Sequence, residues 1–234
     1  MKLNIYYHIW APSNDPLIRF LIDEQMKRLE LHSLINQATL NVCIVGKCAK
    51  EIKAYVQQYN GANIRLVTAE EKGWELHTLD ILYKDCVEDP KQYVMYMHTK
   101  GLSHFYNADK NPKWVSNINT WRHFMEYVCI DSWRECVKDL AEFDTVGMNL
   151  YRAPFVHYSG NFWWARGSHI VNLKNPFVGS DTKPTEGQKD TLTERHNAES
   201  WVCSVNGRHK TRLQVAGSLY STSKFGQYKT MKNS

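Results

Sequence analysis

The chain has 234 residues, 43% of them apolar, and a formal net charge of +5. That length supports one sizeable domain with a sheet core and is too short for two full ones. The charge is modest and scattered. It suits an anionic small ligand as well as nucleic acid, but no basic stripe or known nucleic-acid module accompanies it, so a nucleic-acid-binding role is set aside.

In chain order, Leu3 to Trp10 is strand-like, and residues 11–16 break it with turn chemistry before a helix capped by Asn14 or Asp15. From Leu17 onward, Ile18, Leu21, Ile22, Met26, Leu29 and Leu34 recur close to helical spacing and cover one sheet face. Leu40 to Val45 is a second buried strand ending at Gly46 and Lys47, without the acidic residue that often holds a nucleotide base. Ala49 to Tyr59 is a short amphipathic helix and Ile64 to Val67 a third strand. The order β-α-β-α-β predicts a parallel sheet with helices packed on it. Gly73 to Cys86 gives a helix with Glu75, His77, Thr78 and Asp80 near its start.

The most informative stretch is Tyr93 to Gly101. Five strand-favouring residues run into His98, Thr99, Lys100 and Gly101, as in a strand buried on both faces whose carboxyl end faces a ligand. His98 and Lys100 supply positive charge, Thr99 a hydroxyl, and Gly101 lets the backbone come close, a set suited to a diphosphate. Leu102 to Pro112, with His104, Asn107 and Asp109, reads as a loop able to act as a lid. Trp114, Ile118, Trp121, Met125 and Val128 then form one apolar seam of a long helix ending near Leu140. Arg122 lies off that seam, in reach of a diphosphate or of solvent. Thr145 to Leu150 is a further strand.

Ser159 to Arg166 contains Asn161, Trp163 and Trp164. Adjacent residues on a strand point to opposite faces, so one indole is expected in the core and the other in a cleft, stacked on a pyranose ring, with Asn161 offering hydrogen bonds to sugar hydroxyls. Glu194 to Val202 predicts a short helix in which Arg195 and Glu199 are four apart. Glu199 is there either a surface partner of Arg195 or a general base. Residues 1–220 are read as one domain and 221–234 as a polar, basic tail that frays.

The six cysteines, Cys43, Cys48, Cys86, Cys129, Cys136 and Cys203, show no C-x-x-C pair and no zinc-ligand spacing. Several fall inside predicted elements, as small hydrophobes would. A reducing compartment is the simpler expectation. The residues after Met1 are too polar for a signal sequence and no run of eighteen apolar residues occurs, so the chain reads as cytoplasmic with no membrane span.

Taken together, Tyr96 to Gly101, then Trp121-Arg122 in a helix, then Ser159 to Ala165, then Arg195, Ala198, Glu199 and Trp201 resemble the HTKG-type glycosyltransferases of bacterial and viral surface-glycan synthesis, similar to the rhamnan synthesis protein F group. The blocks span residues from about 70 to 202. The resemblance implies a GT-A-like (Rossmann-like) α/β domain with a central, mainly parallel sheet flanked by helices, binding a nucleotide-diphospho-sugar donor and a glycan acceptor. In that fold the central strand ends in a metal-binding D-x-D, and a later carboxylate serves as base in inverting members. By order, Glu199 takes the carboxylate's place and His98 to Lys100 that of D-x-D. No Asp-x-Asp occurs in the sequence, so Mn²⁺ or Mg²⁺ lacks obvious ligands, and two alternatives stay open: a divalent cation held by other residues, or metal-independent transfer with Lys100 and His98 at the leaving diphosphate. His8 and Trp10 are candidates for the nucleobase, Glu75, Thr78, Thr99, Gly101 and Arg122 for further donor contacts. The alternative is a catalytically silent nucleotide-sugar or glycan-binding domain of the same fold.

Overall fold

A computed structural model of the protein describes residues 1–59, 61, 63–71, 74–106, 112–153, 155–177 and 193–215, with side chains for all of these except 103, 104, 112–114 and 193–196. The tail from Ser221 lies outside the described residues, as do Gly73, Asn107 and Asp109.

The first half alternates as expected: β1 Leu3–Trp10, α1 Pro16–Leu31, β2 Ala38–Val45, α2 Ala49–Val56, β3 Ile64–Glu70, α3 Glu75–Glu88 and β4 Tyr93–His98. Asp15 caps α1, its carboxylate accepting from the N–H groups of Leu17 (3.0 Å) and Ile18 (3.2 Å), with Pro16 preset for the first turn. Leu102–Phe105 forms a short helix, α4, where a loop was expected. The expected single helix to Leu140 is instead α5 Pro112–Glu126, a π-helical turn Tyr127–Asp131, and α6 Trp133–Asp139. The wide turn brings Asp131 to Arg28, at 2.6 and 2.7 Å, and lets the Cys129 carbonyl accept from the Trp164 indole at 2.8 Å.

The remaining elements are β5 Thr145–Met148, β6 Leu150–Tyr151, β7 His157–Tyr158, β8 Trp163–Arg166, α7 Gly167–Ile170, α8 Thr193–Trp201 and β9 His209–Leu213. The predicted strand to Leu150 stops at Met148 because Asn149 sits at φ +49°, and Leu150 turns away to pair with Tyr158 in a separate two-stranded sheet.

The main sheet has the order β3-β2-β1-β4-β8-β5-β9. β8 runs antiparallel to β4 and β5, and the other pairings are parallel. The α/β class, with a central mainly parallel sheet flanked by helices in a GT-A-like arrangement, is therefore present. Ile5, Tyr7 and Ile9 of β1 share one core with α1, α2 and α5. Tyr6, Tyr96 and Trp163 share the other with α3, α7 and α8. Each strand residue thus meets helices on one side or the other, which is why the strands read as continuous apolar runs. All six cysteines are free, and every one but Cys48 is buried. Among the described residues no helix is long and apolar enough to cross a membrane.

Candidate functional site

Chain direction across the sheet reverses beside β1: β2 and β3 are laid down on one side and β4 on the other. Such a switch point opens a crevice at the carboxyl ends of the two diverging strands. Here those ends carry His8 and His98, paired in register across β1 and β4. Beyond them the backbones knit together. The Thr99 N–H donates to the His8 carbonyl (3.1 Å), the Lys100 N–H to the His98 carbonyl (2.8 Å), and the Trp10 N–H to the Thr99 hydroxyl (3.0 Å). Thr99 therefore fixes the relation of the two strand ends, and Lys100 follows at a defined position. Its side chain is 7% exposed, and its ammonium sits 4.6 Å from the ring centre of Trp121.

The first turn of α3 closes one side of the crevice. Glu75 Oε2 accepts from the Tyr96 hydroxyl (2.9 Å) and from Asn161 Nδ2 (2.8 Å), while Asn161 Oδ1 accepts from the Trp163 indole (2.8 Å). One turn on, Thr78 is fully buried and hydrogen bonded to His8 Nδ1 at 2.8 Å. His98 Nε2 lies 2.9 Å from the Gly160 carbonyl. A carbonyl only accepts, so that nitrogen carries the proton.

Burial lowers the His8 pKa to about 4, with Glu75 opposing and the neighbouring His98 and His77 adding to the fall. Burial likewise lowers His98, against Glu75, and the Lys100 charge lowers it further. Burial works against ionised Glu75, but His98, His8, Lys100 and the Asn161 amide outweigh it and bring its pKa to about 2. At neutral pH both imidazoles are uncharged, so Lys100 and the hydrogen bonds are what hold the carboxylate ionised. One buried ammonium with neutral donors around it suits an anion that reaches over Glu75. Among the described residues no three His, Cys, Asp or Glu side chains gather as metal ligands.

The structure thus gathers His8, Trp10, Glu75, Thr78, His98, Thr99, Lys100 and Asn161 around the carboxyl ends of β1 and β4. Glu199, on α8, is half-buried and its charge reaches His98, where it favours protonation. The side chain of its expected partner Arg195 lies outside those described, as does that of His104.

Three expectations are corrected, and a fourth residue, Gly101, gains a structural reason for its identity. Trp163 and Trp164 do point to opposite faces, but both are 0% exposed, one under α8 and stacked on Tyr96, the other under the π-helical turn. Helices cover both faces of the sheet, so neither indole offers a cleft platform. Arg122 is 1% exposed, and both of its terminal nitrogens are engaged, by Glu126 (2.6 Å), Glu24 (2.5 Å) and Asn119 (2.6 Å), with its remaining Nε buried, so it belongs to an ion cluster inside the fold and not to a diphosphate site. Gly101 serves its own turn: φ is +92°, and a Cβ there would meet Ile118 at 2.6 Å. His98 is neutral and its N–H engaged, so the positive charge expected of it falls to Lys100 alone.

Two supporting residues went unread. Gln25 is a polar interruption in the apolar stripe of α1, and it links the Tyr7 hydroxyl, Glu126 and the His98 carbonyl. Tyr96 shares a face with His98, two residues away, and stacks on it. Both signals were present: a lone amide on a buried stripe, and a hydroxyl in phase with the strand-end histidine.

A family model described as "Domain of unknown function (DUF8361)" matches residues 6–213. No curated protein matches the chain. Similar solved structures include 4-diphosphocytidyl-2C-methyl-D-erythritol synthase from Anaerococcus prevotii, at 10% identity and TM-score 0.48, covering 92% of this chain and 90% of that one. A putative nucleotide-diphospho-sugar transferase from Desulfovibrio desulfuricans has 9% identity and TM-score 0.44, covering 100% and 96%. HddC from Yersinia pseudotuberculosis, complexed with GMP-PN, has 11% identity and TM-score 0.44, covering 100% and 99%. Likenesses this remote assign no chemistry to the chain.

Proposed function

We propose, from the premise that the chain belongs to the DUF8361 family, that it is a glycosyltransferase moving a sugar from a nucleotide-diphospho-sugar to a glycan hydroxyl. The observation that carries the reading is Lys100: an ammonium held 7% exposed at the carboxyl end of β4, beside the switch point where ligands of open α/β sheets bind. A fixed cation at that place is suited to the charge that builds on a departing diphosphate.

In this reading the donor diphosphate lies against Lys100 and the nucleoside extends over Trp10. The acceptor hydroxyl attacks the anomeric carbon. Its proton passes to Glu199 as the new C–O bond forms, and the bond from that carbon to the diphosphate oxygen breaks, with inversion. Glu75 Oε2 is already taken up by the Tyr96 hydroxyl and the Asn161 amide, so the proton is assigned to Glu199. The role of Glu75 is to hold Asn161 and Tyr96 and to meet donor-sugar hydroxyls. Lys100 supplies the charge that a Mn²⁺ or Mg²⁺ ion supplies in D-x-D enzymes, so transfer proceeds without a divalent cation.

A thermal-shift screen of nucleoside diphosphates and their sugars, with and without Mn²⁺, tests this reading. Binding to the folded state raises the melting point by mass action. At least one nucleotide should stabilise the wild type, and Lys100→Ala should abolish that shift. A screen with no stabilising nucleotide, or a shift that survives in Lys100→Ala, contradicts the assignment.

A further inference from the structure

Gln25 is 0% exposed, an amide within the otherwise apolar buried stripe of α1. A buried amide is tolerated only where its donors and acceptor are met, so its bonds show what holds it there. Its Nε2 donates to Glu126 Oε1 at 2.9 Å and to the His98 carbonyl at 3.3 Å, and its Oε1 accepts from the Tyr7 hydroxyl at 2.6 Å. A carboxylate and a carbonyl both accept, so the end that meets them is the NH₂ group, and the orientation of the amide is fixed.

The His98 carbonyl is where this amide meets the candidate site. The ladder between β4 and β8 stops at Tyr96 and Trp163, so it supplies that carbonyl no partner. Two groups meet it instead: the Gln25 amide and, at 2.8 Å, the Lys100 N–H. The second bond spans two residues and closes a tight turn centred on Thr99, whose own N–H and hydroxyl are tied to His8 and Trp10. The carbonyl is therefore the pivot of the turn from which the Lys100 side chain departs. Gln25 is anchored in its turn, because Glu126 is 0% exposed and held by Arg122 (2.6 Å) and Arg28 (3.1 Å).

We propose that Gln25 is a positioning residue for Lys100: by holding the His98 carbonyl it fixes the turn at Thr99, and with it the place of the ammonium 4.6 Å from the Trp121 ring centre. A bond that spans only two residues is bent and weak by itself. Without the Gln25 amide the turn opens, and the long lysine side chain starts from a backbone that is no longer set. A cation serves a developing anion best when it is held in place beforehand, which is what the clamp provides. The consequence for a diphosphate rests on the transferase reading above, whereas the positioning of Lys100 does not.

The test reads Lys100 directly, by NMR of the full chain with isotope-labelled lysine, its signal assigned by Lys100→Arg. An Hε group held over an indole face is displaced upfield by the ring current, so that signal marks the place of the ammonium with no ligand present. Gln25→Met removes the clamp and keeps an unbranched side chain of similar length in the apolar stripe. In it the Lys100 Hε signal should move toward those of the other lysines, and nucleoside-diphosphate affinity should fall about tenfold or more, the scale of one hydrogen bond to a charged group. Tyr7→Phe is the control. It removes a different bond of the same amide, and should lower Tm while leaving the Lys100 signal and the affinity at their wild-type values. In the wild type the Lys100 N–H should be protected from solvent exchange, a reading that needs no substitution. A Lys100 signal that stays in place in folded Gln25→Met, one that moves as far in Tyr7→Phe, or a wild-type Lys100 N–H that exchanges freely each overturns the proposal. A signal that moves in Gln25→Met alone, in a protein that binds no nucleotide, upholds the positioning and sinks the transferase.

Discussion

Glu75 Oε2 and Asn161 Nδ2 meet at 2.8 Å, across 86 residues of chain, and join the start of α3 to the turn that enters β8. Asn161 holds φ +59° there and also accepts from the Trp163 indole, so one amide satisfies two buried groups. Asn161→Ala should cost about 1–3 kcal/mol in urea unfolding, the penalty for orphaning a buried polar group. Asn161→Gly relieves the backbone but still lacks the amide, so it should recover only part of the loss. Full recovery in the glycine variant would mean that the backbone, and not the amide, is what matters.

His8 predicts a pH dependence. Its folded pKa is about 4 against an unfolded value near 6.5, so the unfolded chain takes up a proton first as pH falls. The stability it contributes is complete above pH 6.5 and is lost as pH drops toward 4, on the order of 3 kcal/mol over that window. Urea midpoints at pH 7 and pH 4.5 should fall less steeply in His8→Gln than in the wild type. Equal slopes would show that His8 is not the titrating group.

Arg122 should behave as a structural residue. Removing it takes the 2.6 Å partner from Glu126, which is fully buried and keeps Arg28 at 3.1 Å and the Gln25 amide at 2.9 Å. Arg122→Leu should therefore destabilise by about 1–3 kcal/mol, with nucleotide affinity unchanged in whatever fraction stays folded. A selective loss of nucleotide affinity at unchanged stability would return Arg122 to the diphosphate.

Trp163→Ala and Trp164→Ala should each cost about 3–5 kcal/mol, the range for deleting a large buried aromatic. Calorimetric unfolding of the two variants checks this. Near-neutral stability in either would contradict the closed packing on that face.

Much of this architecture was legible in the chain. Leu3 to Trp10 and Tyr93 to His98 are apolar runs with few polar interruptions, and such runs mark strands buried on both faces. The strand-end quartet stands out by residue type and by its place at the end of an apolar run, and the structure sets the first turn of α3 beside it. What stayed hidden depended on what covers a face. Period-two alternation separates Trp163 from Trp164, yet nothing in it tells that α8 closes one side and the π-helical turn the other. Likewise Arg122 lies off its helical seam, but only the fold brings Glu24 from α1 to meet it. His98 reads as a cation until burial is known. β9, with the polar alternation of His209 to Leu213, lacks an apolar signature because it is an edge strand.

Whether Glu199 takes the acceptor proton is read from donor affinity and transfer rate measured together on Glu199→Gln. A base acts on the acceptor proton in the transition state and does little to hold the donor. Nucleotide-sugar affinity should stay within about twofold of wild type, while transfer falls by about two to four orders of magnitude, the usual worth of one positioned base. Transfer that persists at the wild-type rate in Glu199→Gln would take the base role away from Glu199.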